Sequence, residues 1–338
     1  MTAIQDCSFG MKVESTYGTA VTVDRWYEFE GTVDVTYDKN IVQGSGVRVG
    51  RKAPRADRRV PTTTQSAIKV TVPVLSKGFG YLLTACTGSG VSTLVSASTY
   101  QQLFKFGTPG SYTIQIGVVR ADGTTVDPMT FAGCVATEWE LSLDNAGKLM
   151  LSVTFDGRSL ATATAYTAPT YTASQTVYHF GEAAAGAMTV GGSLVVPTTT
   201  VLASGGTAVT NVRDFKLSWK RSVATDRFNL GGAGLKSAPV FGVATPTGSI
   251  TYEYDSTTNR DAHIADTALA LSLTLTSPVA LSTGFEQFQV AIPAAKLDGG
   301  GLPDATGDLI VVSQDFSVLD DGTNDPVYLA LRTSDSAL

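Results

Sequence analysis

Few residues in this chain are of a type and spacing that could do chemistry. His179 and His263 are the only histidines. A nucleophilic triad would need one of them beside a serine, and no G-x-S-x-G elbow presents one. Glu138 and Glu140 stand two apart on an alternating stretch. They therefore share a face, as a general acid and base would, but so do acids on any solvated strand. The glycine clusters Gly44-Ser-Gly46, Gly231-Gly232-Ala-Gly234 and Gly299-Gly-Gly301 lack the strand–glycine loop–helix context that cradles phosphate, and read as loops. Asp320-Asp-Gly-Thr-Asn-Asp325 has the oxygens of a calcium loop without its later bidentate glutamate, and reads as a hairpin turn. Cys7, Cys86 and Cys134 are odd in number and widely spaced, so they fit neither a disulfide framework nor a zinc pattern. They read as reduced thiols, two of them buried. The expectation is a protein without catalysis, cofactor or metal.

The elements that hold these residues are read from composition and period. A chain of 338 residues has room for about two domains. It is 43% hydrophobic and only 16% charged, with net charge −6 and threonine at about one residue in seven. β-Branched residues, glycine turns and few long charged side chains predict an all-β fold. No apolar run is long enough to span a membrane. The start lacks a basic segment followed by an apolar run, which argues against a signal peptide and for assembly inside a cell.

Period-2 alternation marks the strands. It runs through Tyr27 to Tyr37, Ile68 to Val74 and Tyr112 to Val118. A hairpin follows, from Glu138–Leu143 through Asp144–Gly147 to Leu149–Phe155. It resumes in Arg213 to Lys220, Ser249 to Tyr254, Phe288 to Ile292, Asp308 to Val318 and Val327 to Arg332. Lys77 to Cys86 reads as a helix capped by Ser76 and ended by Gly88, and Asp261 to Leu271 as a second short helix. Residues 157–176, nearly uncharged and rich in Ala, Thr, Ser and Tyr, read as a linker. That divides the chain into domain 1 (1–156), linker (157–176) and domain 2 (177–338). The second half reads as a diverged copy of the first. Phe29–Val35 matches Phe215–Trp219, and Gln43–Gly46 matches Asn229–Gly232. Ile68–Val72 matches Ile250–Tyr254, and Ile114–Ile116 matches Phe288–Val290. Glu140–Leu143 then matches Asp315–Val318, and Leu151–Val153 matches Leu329–Leu331.

Charge is unevenly placed. Residues 48–59 hold Arg48, Arg51, Lys52, Arg55, Arg58 and Arg59 with one acid, in a chain of 24 basic and 30 acidic residues. No helix or strand period is visible, so the segment reads as a long exposed loop. It could be a solvated loop or a nucleic-acid arm, though it has no interleaved aromatics for stacking. The reading preferred is a contact with an acidic protein face, which the rest of the same chain supplies. Arginine suits that role, because its planar fork pairs carboxylates bidentately.

The opening Gly10-Met-Lys-Val-Glu-Ser-Thr-Tyr-Gly-Thr19 and Trp26-Tyr-Glu-Phe29 resemble the tail tube (major tail) proteins of long non-contractile-tailed bacteriophages. So do the hairpin loop at 44–61 and Tyr100-Gln-Gln-Leu-Phe-Lys-Phe106 leading into Tyr112-Thr-Ile-Gln-Ile116. The resemblance implies two tandem β-sandwich or rolled-sheet domains, each with a short flanking helix. It implies a structural protein of the virion, assembled in the host cytoplasm, whose rings stack into a channel for the genome. Its partners would be copies of itself, other tail proteins and passing double-stranded DNA that is not specifically bound, with no membrane. The loop at 44–61 would reach the next ring. Its counterpart in the second half, Gly231 to Pro246, carries only Lys236, so the halves need not stack equivalently. With two folds per chain, a ring of three chains is a pseudo-hexamer; a hexamer of chains is the alternative. Glu28, Glu30 and Asp34 are candidates for an acidic lumen. Trp139 and Trp219 read as core or ring-interface aromatics. The rival reading is a binding module, either a tail-tip or fibre component or a capsid decoration protein.

Overall fold

The structure is a computed structural model that describes residues 6–46, 48–299, 302–303 and 309–338. The first half carries β1 (Ser8–Val13), β2 (Arg25–Tyr27), β3 (Asp34–Gln43), β4 (Arg59–Pro73), β5 (Gly88–Ser96), β6 (Thr99–Phe106), β7 (Tyr112–Val119), β8 (Val126–Leu143), β9 (Leu149–Gly157) and β10 (Ser159–Ala161). The second carries β11 (Met188–Val190), β12 (Leu194–Val195), β13 (Ser204–Gly205), β14 (Ala208–Val209), β15 (Val212–Ala224), β16 (Val240–Glu253), β17 (Leu269–Ala280), β18 (Phe285–Leu297), β19 (Val311–Val318) and β20 (Tyr328–Thr333). Helix α1 (Gly80–Thr87) lies in the first half and α2 (Thr258–Ile264) in the second. The protein is all-β, as its composition predicts.

One strand order occurs twice. In the first half the ladder runs β3-β4-β9-β8-β7-β1. In the second it runs β15-β16-β19-β18-β17-β11. Even an irregularity recurs. Between β7 and β8 the register slips from Tyr112↔Cys134 to Ile114↔Phe131. Between β17 and β18 it slips from Leu269↔Ala295 to Leu271↔Ile292. A bulge bends its strand, and this one lets β8 and β18 leave one set of neighbours and join another. The halves are sewn together by β8 with β15 and by β6 with β20.

Alternation fixes which face is dry. Ile68, Val70 and Val72 of β4, Leu151, Val153 and Phe155 of β9, and Phe215 and Leu217 of β15 are buried in one apolar cluster that runs through both halves. Each such side chain contributes about 1.5–3 kcal/mol on burial. Cys86 and Cys134 are buried free thiols and Cys7 is half-buried.

Several sequence expectations shift. The strand expected from Tyr27 to Tyr37 is two strands, broken where Gly31 takes a left-handed φ of 78° and where Phe29 and Val33 turn onto the core. Helix α1 begins after Phe79 rather than Ser76 and has no side-chain cap; Ser76 Oγ instead accepts the N–H of Thr176. Helix α2 ends at Ile264, because Leu271, Leu273 and Leu275 belong to β17 and are buried at period 2. Asp320 to Asp325 forms aspartate-capped turns. It is not a hairpin, since β20 pairs with β18 and β6 rather than β19. The sequence matches near Ile114, Glu140 and Leu151 fall one strand out of step. They set β7, β8 and β9 against β18, β19 and β20, where the repeated order sets them against β17, β18 and β19. Residues 157–176 include β10 and then lie along the first half, with Thr167 N–H donating to Gln115 and Ser76 N–H to the Thr176 carbonyl. Gly300, Gly301 and the expected strand start at Asp308 lie outside the described residues.

Gly88 ends α1 at φ 96°, and a Cβ there would sit 2.4 Å from the Gly107 carbonyl oxygen. Gly88→Ala is expected to lower unfolding stability by about 2–3 kcal/mol. Gly123→Ala, also at positive φ but in open space, is expected to lose only about 1 kcal/mol. Urea unfolding of the two variants checks the difference.

Candidate assembly site

The joint between the halves is the most elaborate constellation in the molecule. Strand β15 lies antiparallel to the second part of β8 in the register Phe215↔Leu143, Leu217↔Leu141, Trp219↔Trp139 and Lys220↔Glu138. The two indoles therefore face one another directly, with ring centroids 6.4 Å apart and planes 2° from parallel. Phe106, at the end of β6, lies against Trp219 at 3.3 Å between centroids. Stacked aromatics of this kind add about 0.5–1.5 kcal/mol per pair beyond their buried area.

Arg221 completes the joint. It follows Trp219 on the same face of β15, and its guanidinium lies over the rings of Phe106, Trp219 and Phe241. It donates to the carbonyls of Cys86 (3.0 Å), Thr87 (2.8 Å) and Gly107 (3.1 Å). Two of these are the last carbonyls of α1, where a cation also meets the negative end of the helix dipole. The Cys86 carbonyl accepts a second bond, from Trp139 Nε1 at 3.1 Å. Burial holds the guanidinium below the usual arginine range.

This joint makes one run of eight strands, β3-β4-β9-β8-β15-β16-β19-β18. Its core face is dry. Its other face is polar and hollowed, with Glu140, Lys216, Ser218, Thr247, Ser249, Asp298 and Asp315 lining one shallow concavity. Among the described residues, acids outnumber cations on the strands of this face. Asp34, Asp38, Glu138, Glu140 and Asp315, with Asp298 just past the end of β18, stand against Lys69, Lys216, Lys220 and Lys296. Each end of the run is open. Among the described residues β3 is hydrogen-bonded to β4 alone, and it is exposed along nearly its whole length. At the other end, β19 is paired with β18 only from Phe316 to Val318.

Asp34 is on the polar face of β3. Glu28 and Glu30 precede that strand; both are exposed, and Glu30 N–H bonds the Thr71 carbonyl at 2.9 Å. Glu30 also pairs with Lys148 beside the β8–β9 turn, which puts it at the rim of the sheet. Arg48, Arg51, Lys52, Arg55, Arg58 and Arg59 lie at the opposite rim, where β3 passes to β4, and Val47 lies outside the described residues. Arg55 pairs with Asp57; among the described residues the other five have no carboxylate within ion-pair distance. The corresponding loop between β15 and β16 is folded down onto the first half. Lys236 is buried against Asp156, and Thr64 N–H bonds the Gly234 carbonyl. Trp139 and Trp219 are core aromatics at the joint. Arg221 was not singled out from sequence, although the alternation Phe215, Leu217, Trp219 points it to the same buried face. His179 caps a short 3-10 turn and His263 meets the Leu297 carbonyl, so the structure does not bring them together. Among the described residues no three His, Cys, Asp or Glu side chains cluster as metal ligands would.

A family model described as phage tail tube protein matches residues 4–318. No curated protein matches the chain.

Arg221→Ala is expected to lower stability by about 3 kcal/mol, since it removes three hydrogen bonds to backbone carbonyls and unpacks the aromatic stack. Arg221→Lys, a point charge without the planar fork, is expected to restore less than half. Denaturant unfolding followed by tryptophan fluorescence reads both.

Proposed function

The chain belongs to the phage tail tube protein family, a structural component of the virion, and on that premise we propose that three copies join edge to edge into a ring. The rings stack into a tube, and the tube is the channel for the genome. Each copy contributes two repeats, domain 1 (1–156) and domain 2 (177–338), with 157–176 between them, so the ring is a pseudo-hexamer. The observation that carries this reading is the β8–β15 joint. There two ladders of the same strand order meet through their strand edges, with one open edge left at each end of the run. Such edges pair or are covered in a finished protein. A head-to-tail contact that closes gives a ring, and closure removes the edges altogether.

The hollow polar face then lines the lumen. Its acidic excess repels phosphate, so double-stranded DNA slides past without being held. Asp34 lies on that wall, with Glu28 and Glu30 at its rim. Other tail proteins meet the tube at its ends, and assembly takes place in the host cytoplasm. The loop at 44–61 reaches from one ring to the next, with Arg48, Arg51, Lys52, Arg55, Arg58 and Arg59 directed at an acidic face of the neighbouring ring. Negative-stain microscopy with light scattering tests the reading. Rings or tubes with three chains per layer support it; six per layer would replace the trimer; a monomer at every salt concentration would overturn it in favour of a binding module.

Exposed ion pairs are individually worth about 0–1 kcal/mol, so only a combined change in the loop is informative. Replacing Arg51, Lys52, Arg55, Arg58 and Arg59 together with serine is expected to leave folding and single rings intact and to abolish tubes. Tubes of ordinary length from this variant, counted by microscopy, would remove the loop from the inter-ring contact.

A further inference from the structure

We infer that the joint inside each chain is repeated between chains: β3 of one copy adds to the β18–β19 end of the next in the register that β15 takes on β8. This rests on the ring reading and gives its contact a register and residues.

The correspondence follows from the ladders. The shared bulge equates Cys134 with Ala295. One step along, Ala136↔Phe155 answers Leu297↔Phe316. Across the next ladder, Ile68↔Phe155 answers Gly248↔Phe316. Across the last, Val35↔Ile68 answers Leu217↔Gly248. Tyr37 therefore takes the place of Trp219, and Lys39 that of Arg221. The local geometry agrees. Lys39 Nζ lies 5.9 Å from the Tyr37 ring centroid, and the Arg221 guanidinium lies 5.9 Å from that of Trp219.

The helix beside the receiving end corresponds too. Helix α1 ends on the left-handed Gly88, and Arg221 binds the two carbonyls before it. Helix α2 ends just before Asp266, which is left-handed at φ 50°. The end of α2 is fixed to β18, as that of α1 is to β8: His263 Nδ1 lies 2.8 Å from the Leu297 carbonyl, and Lys296 pairs with Asp266. By this correspondence Lys39 of the next copy meets the carbonyls of Ile264 and Ala265 and the Asp266 carboxylate, whose side chain is 75% exposed. Exposed apolar side chains collect at both ends of the run. Tyr37, Ile41 and Val42 are on β3; Ile264 and Val311 are at the other end.

The occupant is a second copy, because this chain already contains the same contact in finished form. One position is mismatched. Asp38 falls opposite Asp298, where the internal joint has Lys220 opposite Glu138. Like charges directly opposite weaken a ladder, so the joint between chains is the weaker of the two.

Two measurements test this. In Asp38→Cys with Asp298→Cys, a short bis-maleimide applied to assembled protein is expected to link chains into covalent trimers, about tenfold above either single variant. Native Cys86 and Cys134 are buried, and the half-buried Cys7 is replaced by serine throughout so that it adds no background. Separately, Lys39→Glu and Asp266→Lys are each expected to abolish rings, and their combination to restore them. Rings that form without the cross-link, or a double charge variant no better than the singles, would overturn this inference and leave the ring reading standing. An unmodified chain that never forms rings would end both.

Discussion

The guanidinium of Arg221 is the point on which the two halves turn. Removing a cation from water is costly, and only full hydrogen bonding and charge compensation offset it. Among the described residues no carboxylate does so, and Nε has no hydrogen-bond partner. Three backbone carbonyls and the faces of three aromatic rings surround the charge instead. Those carbonyls come from the end of α1 and from Gly107, just after β6, while the rings come from β6, β15 and β16. One side chain from the second half thereby fixes a helix, a hairpin and a strand edge of the first. Trp139 then lies parallel to Trp219, beside its stack with Phe106, because the ladder sets the two indoles on directly opposed residues. The hairpin of β5 and β6 also reaches β20, so the second ladder between the halves depends on the same corner.

The two long rim loops show how one element is put to different use. In the second half Lys236 is buried against Asp156, and Arg158 Nε donates to the Lys236 carbonyl. Burial raises the Asp156 carboxyl above its ordinary range even though Lys236 opposes the shift. That loop holds the chain to itself. The loop of the first half has most of its cations in solvent. A buried pair adds geometry at little net gain, whereas exposed cations retain their reach toward another surface.

Much of this fold is legible in the sequence, because a half-buried strand writes its period directly. Phe215, Leu217 and Trp219, or Leu149, Leu151 and Val153, could hardly be read otherwise. What was not legible depends on partners distant in sequence. The break at Gly31 is invisible in an alternating stretch, since φ is not written in the pattern. The sequence of the second helix reads longer than the helix is, because its threonine, alanine and leucine run on without a break into β17, where burial decides for strand. The repeat was visible but misaligned by one strand, because alternating strands match at any even offset. Topology and the shared bulge supply the register that similarity of pattern cannot. The site was read in part. The basic loop stands out by charge alone, but Arg221 is one cation among many until the fold sets it beside the end of α1.

A chain built of two such units has a consequence for its edges. Separate units would each expose two open strands, and every joint would have to form in solution. Joining them through β8 and β15 halves the open edges, and in the proposed ring it would make every second joint permanent, with loop-closure entropy already spent within the chain. The remaining edge on β3 carries Asp34, Asp38 and Lys39 among its apolar residues, and charges of this kind discourage indiscriminate pairing. A weak, charged edge is soluble until a correctly placed neighbour presents an opposite charge. A strong internal joint beside it fixes the curvature that the neighbour must match. In the proposed ring, one tight joint and one loose one would let the same strand order serve both within a chain and between chains.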